Sequence, residues 1–94
     1  MRTEIYAIRD IVAGTTMQPV FMQNESVAKR WFRHVLTTTD IIKDNPEDYE
    51  LIYLNWFEDG NGNNEPTTLG GASAERICNG KEIINERQSN EILQ

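Results

Sequence analysis

The run Tyr49 to Phe57, YELIYLNWF, is the most apolar stretch of the sequence and constrains the fold more than any other. Read as a strand, it alternates Leu51, Tyr53, Asn55 and Phe57 with Ile52, Leu54 and Trp56. Both faces are largely apolar, so the strand belongs in the middle of a sheet with cover on each side. One cover is supplied by Asn24 to Thr38, NESVAKRWFRHVLTT, which reads as the principal helix. Asn24 is placed to accept from backbone amides of the first turn, and Glu25 sets a negative charge where the helix dipole favours it. At about 100° per residue, Val27, Ala28, Trp31, Phe32, Val35 and Leu36 share one side, and Lys29, Arg30, Arg33, His34 and Thr37 share the other. The β-branched run Thr37 to Thr39 favours leaving the helix, so Asp40 lies beyond its end or caps the next element.

The other segments attach to this pair. Thr3 to Arg9, TEIYAIR, reads as a strand buried on both faces. Ala13 and Gly14 mark a turn, and Gln18 to Met22 reads as an edge strand or extended arm because Pro19 lacks a ladder donor. Asp40 to Glu50 carries six charged side chains, five of them acidic, around Pro46, and reads as a solvated connection with a short helical turn. Glu58 to Asn64, EDGNGNN, is a turn, after which Glu65 to Leu69 can return as a short hairpin strand, at an edge because of Pro66. Ser73 to Cys78 reads as a helical turn or two, broken by Asn79 and Gly80. Lys81 to Gln94 is polar with scattered Ile83, Ile84, Ile92 and Leu93. The expected fold class is α+β: a small antiparallel or mixed sheet of three to four strands with one principal amphipathic helix packed on it. Residues 1–69 are expected as the core domain, and residues 70–94 as a tail that is helical or an interface arm.

Composition narrows the setting. Ninety-four residues allow a single domain with a modest core, for which a partner subunit is a natural supplement. No apolar run approaches a membrane span, and the first residues lack an unbroken apolar leader, so a cytoplasmic location is expected. The lone Cys78 forms no internal disulfide and, without further ligands at the right spacing, no zinc site. A formal charge of -6 argues against wholesale coating of nucleic acid, so that any phosphate binding must be local.

Three blocks together carry a resemblance: IYAIRD (Ile5 to Asp10), PVFMQNE (Pro19 to Glu25) before an amphipathic helix containing Phe32, and NPEDYELIYLNWFED (Asn45 to Asp59). Over roughly residues 1–68 the sequence resembles the small non-structural protein of gokushovirus-type microviruses, bacteriophages with single-stranded DNA genomes. The resemblance implies a viral protein of the host cytoplasm, absent from the capsid and without enzyme activity. It implies action where replication changes to single-stranded DNA synthesis and packaging. Single-stranded DNA or a replication protein is then the expected partner, alongside a homodimer or larger homo-oligomer that covers the second face of Tyr49 to Phe57.

In that context the cations Lys29, Arg30 and Arg33 lie within about 6 Å of helix rise, a spacing suited to phosphates. The plainer reading is a solvated helix face paired with the acidic Asp40 to Glu50 segment. Tyr53 and Trp56, with Tyr6 and Phe57, can stack unpaired bases, and Arg9 can add charge; burial in the core is the plainer reading of these rings. His34 has no Ser, Cys or carboxylate at a spacing that suggests a catalytic partner. Asp59, Asn61 and Asn63 alternate like calcium ligands, but Asn64 stands where that loop needs glycine and Gly70 where it needs glutamate. Asp44, Glu47, Asp48 and Glu50 read as a solvated acidic turn and not as a magnesium site. No catalytic residue, metal or cofactor is expected.

Overall fold

The computed structural model describes residues 2–58, 68–70 and 74–93, with residues 68–70 and 87–93 described by backbone alone. The chain opens with β1 (Arg2–Asp10), whose central residues Ile5 to Ile8 are all buried, as a strand covered on both faces requires. A turn through Gly14, which takes the left-handed φ of 70° that glycine tolerates, leads to β2 (Thr15–Thr16). Pro19 then interrupts pairing, and β3 (Val20–Met22) resumes alongside β1. The expected edge strand is therefore present.

Helix α1 (Glu25–Thr38) packs on the sheet. The Asn24 side chain accepts from the Val27 amide at 3.0 Å, which fixes the first turn. Ala28, Phe32 and Leu36 are fully buried, and Trp31 and Val35 pack around them, so the apolar side read from the sequence is the buried one. At the other end the Thr37 and Thr38 hydroxyls bond back to the His34 carbonyl at 3.0 and 2.8 Å, and Thr39 leaves the helix in an extended conformation. The acidic connection folds into α2 (Asp40–Asp44) and a single 3-10 turn at Pro46–Asp48.

The long strand β4 (Tyr49–Glu58) pairs antiparallel with β1 along its whole length and is the centre of the sheet. On its other edge run β5 (Thr68–Gly70) and β6 (Glu75–Asn79). The turn expected after Glu58 and the position of Pro66 lie outside the described residues. All pairings are antiparallel. β2 and β3 share one edge of β1 while β5 and β6 share one edge of β4, so the six strands fill no more positions across the sheet than the widest one expected.

Residues 75–80 differ from the sequence reading, while the helical alternative for the tail beyond them is the one observed. Glu75 to Asn79 form a strand where a helical turn was expected, and Asn79 starts a helix where a break was expected. That helix is α3 (Gly80–Leu93). Asn79 accepts from the Lys81 amide at 2.8 Å through its side chain, and Glu82 accepts from the Asn79 amide at 3.2 Å, a reciprocal capping box. Gly80 sits against the chain at Pro46, where a side chain would collide with the Pro46 carbonyl. Cys78 and Ile83 thereby join Tyr6, Ile8, Phe32, Leu36, Ile42, Tyr49 and Leu51 in one core cluster, so the expected tail contributes to the fold.

Candidate nucleic-acid interface

The geometry of the candidate site begins with an irregularity in β4. Tyr6 of β1 pairs with Tyr53, but Ile5 pairs with Asn55, so Leu54 has no partner and forms a bulge. Strict alternation would send Tyr53 and Trp56 to opposite faces. The extra residue turns both to the side of α1, where Trp56 stands opposite Glu4.

Around these rings the alternate residues Arg2, Glu4 and Tyr6 of β1 complete a cluster. The Arg2 guanidinium lies over the Trp56 ring, 4.8 Å from its centre, within cation–π range. The Arg2 Nε donates to one Glu4 oxygen at 2.8 Å, and the Tyr53 hydroxyl donates to the other at 2.5 Å. The Tyr53 ring meets Tyr6 edge-on with centres 5.3 Å apart. Burial, and then the hydrogen bond to Glu4, raises the Tyr53 pKa, while burial followed by the charges of Glu25 and Glu4 raises that of Tyr6. Both phenols stay neutral at physiological pH. The Tyr53 oxygen, and less strongly Glu4, holds the Arg2 pKa up, so its charge is permanent. Trp56 remains partly exposed and Arg2 exposed. The chemical offer is an aromatic surface with an attached cation, the combination that holds unpaired bases by stacking and their phosphates by charge.

The candidate residues from the sequence fall into three places. Tyr53 and Trp56 are brought together. Arg9 is exposed on the opposite side of the sheet from them, since it follows Ile5 and Ala7 in alternation. Lys29, Arg30 and Arg33 lie on α1 with unequal access. Lys29 is ion-paired with Glu25 at 3.7 Å, with its side chain about one-third exposed. Arg33 is half-buried, and its Nε is buried without a hydrogen-bond partner among the described residues. Arg30 is exposed. The pairing of helix cations with the Asp40 to Glu50 segment is not among the described ion pairs, in which Lys43 meets Asp40 and Arg76 meets Glu50. Sequence reasoning missed Arg2 and Glu4. Their signal was present in the spacing: positions 2, 4 and 6 of a strand share a face.

His34 is exposed at the C-terminal half of α1. Burial raises the Cys78 thiol to about 11, so it stays protonated inside the core. Among the described residues no group of three or more His, Cys, Asp or Glu side chains converges as a metal set, and the Asp59 to Asn63 alternation lies outside them.

A small antiparallel sheet with a helix packed on it, and rings and a cation grouped on one strand pair, defines a small α+β protein. It is a bacteriophage protein: the chain belongs to the Phage ORF5 protein family, which it matches over residues 3–83. No curated protein and no solved structure matches it. Among the described residues no helix is long and apolar enough to cross a membrane.

Proposed function

We propose that this phage protein is a non-enzymatic, non-structural factor that acts in the host cytoplasm where replication turns to single-stranded DNA synthesis or genome packaging. It does so by holding single-stranded DNA. The resemblance of its three sequence blocks to the gokushovirus-type microvirus protein supports the setting. The observation that carries the binding mode is Arg2 over Trp56 beside Tyr53, on a face made common by the Leu54 bulge.

In this reading a base stacks on Trp56 or Tyr53 and Arg2 moves to the adjoining phosphate. Arg30 is the most accessible of the three helix cations for a further phosphate, with Lys29 and Arg33 contributing less because each is partly withdrawn. Arg9, on the other face, serves only a strand that wraps the sheet. An acidic protein with few such contacts binds weakly at physiological salt and strongly only at low salt. Titration of a fluorescent oligothymidylate at low salt, with parent and Arg2→Glu, tests the reading. Binding that Arg2→Glu weakens supports it, and absence of binding removes it.

The alternative is an adaptor that engages the replication machinery with no DNA contact. It is favoured by apolar surface left open on an acidic molecule, above all Phe21, 61% exposed and edge-on to Phe57 with ring centres 6.0 Å apart. These two rings lie on the sheet face away from α1, and the same patch is suited to a homodimer or larger homo-oligomer.

A further inference from the structure

At the opposite end of β1 and β4 from Trp56 lies a second surface, away from the Arg2 and Trp56 pair. The loop after Asp10 exposes Ile11 (44%) and Val12 (76%), and Met17 follows at 38%. The loop is built to hold them out: the Asp10 carboxylate accepts from the Ala13 amide at 3.0 Å and its carbonyl accepts from Gly14 at 2.9 Å. The Ile11 amide donates to the Asp48 carbonyl at 2.9 Å, which ties the loop to the 3-10 turn. Just before that turn, α2 buries Ile42 but leaves Ile41 74% exposed.

Carboxylates neighbour these side chains along the chain: Asp10 precedes Ile11, the Asp48 carbonyl accepts from the Ile11 amide, and Asp40, Asp44 and Glu47 flank Ile41 on α2 and the turn after it. Against them stand Lys43, 3.9 Å from Asp40, and at the same end Arg9 and Lys81. The result is an apolar tip with a net negative rim. Such a rim repels DNA phosphates and anionic lipid headgroups. A two-fold contact with a second copy would set acidic rim against acidic rim, which disfavours self-association here.

We propose that this end docks a basic amphipathic protein segment, its apolar side on Ile11, Val12, Met17 and Ile41 and its cations on Asp40, Asp44 and Glu47. The proposal is independent of the DNA reading, because the two surfaces lie at opposite ends of the sheet.

The test uses the full chain and a fluorescein-labelled amphipathic helix of leucine and lysine, with a leucine and glutamate helix of the same pattern as control. Saturable binding of the lysine peptide is expected, with none for the glutamate peptide. Joint Ile11→Ser and Val12→Ser substitution should weaken it about tenfold or more while leaving oligothymidylate binding unchanged. Both side chains are exposed, so thermal unfolding should match the parent, and Phe21→Ser should bind the peptide as the parent does. Equal affinity of the parent and the serine variant overturns the proposal. So does binding to phosphatidylglycerol vesicles with none to the lysine peptide, which would make the tip a membrane contact.

Discussion

The Tyr53 hydroxyl donates to the Glu4 carboxylate across 2.5 Å, joining the central strand to its neighbour through side chains as well as backbone. Glu4 carries a charge and the pair is partly buried, so this bond is stronger than a neutral surface one. Tyr53→Phe should therefore lower stability by about 1 to 2 kcal/mol, read from urea unfolding at neutral pH. An unchanged midpoint would show that water replaces the bond without cost.

Ile83 is buried at 1% exposure and packs in the same cluster as Phe32 and Leu51. Ile83→Ala should cost about 2 to 4 kcal/mol by leaving a cavity that a small core cannot close. Truncation after Leu69 removes β6 and α3 altogether and should abolish cooperative thermal unfolding. Retention of a sharp transition in the truncated chain would mean that residues 1–69 form a core by themselves.

Glu82 has its pKa lowered, first by the hydrogen bond from Arg76 at 2.5 Å and then by the Asn79 amide. A carboxylate with a lower pKa folded than unfolded stabilises above the unfolded value, and that contribution is lost as pH falls through the folded value. Glu82→Gln should thus unfold at lower denaturant than the parent at pH 7, and the gap should narrow as pH falls below about 4.3. A gap that stays constant with pH would assign the effect to shape alone.

Most of the architecture was legible in the sequence because apolar periodicity speaks directly to burial. Asn24, the stripe through Phe32 and the density of Tyr49 to Phe57 were enough to place α1 and β4. The face of Trp56 was not legible. It depends on Leu54 being skipped in pairing, and no glycine or proline marks that bulge. The start of α3 was legible and misread: Asn79 and Glu82 stand at capping-box spacing, but Gly80 between them looked like a break. Its closeness to Pro46, a tertiary fact, is what selects glycine there. The helical wheel put all three helix cations on the solvent side, yet only Arg30 is exposed, while Lys29 and Arg33 are half-buried.

Phe21 and Phe57 leave an aromatic patch on the sheet face away from α1, next to the buried Ile5, Ala7 and Ile52. Sedimentation velocity at roughly tens of micromolar should show a dimer or larger assembly, because a patch of this kind gains by isologous burial. Phe21→Ser should shift it to monomer. A parent that sediments as a monomer would sink this expectation and leave the patch to a different partner.

Binding of single-stranded DNA at the Arg2 and Trp56 pair is the central claim, and salt-dependent anisotropy of labelled oligothymidylate tests it most directly. The parent should bind at about 20 mM salt, with log affinity falling against log salt by about 0.7 for each phosphate neutralised. Arg2→Glu should lower that slope by about one phosphate, and Arg30→Glu by a similar step. Trp56→Ala should weaken binding by the loss of about 1 to 3 kcal/mol of stacking. Because Trp56 is partly buried, the Arg2 variant, altered at an exposed position, carries the decision if the alanine variant is unstable. No binding by the parent at about 20 mM salt, or a folded Arg2→Glu that binds with the parent's affinity and slope, would contradict the claim.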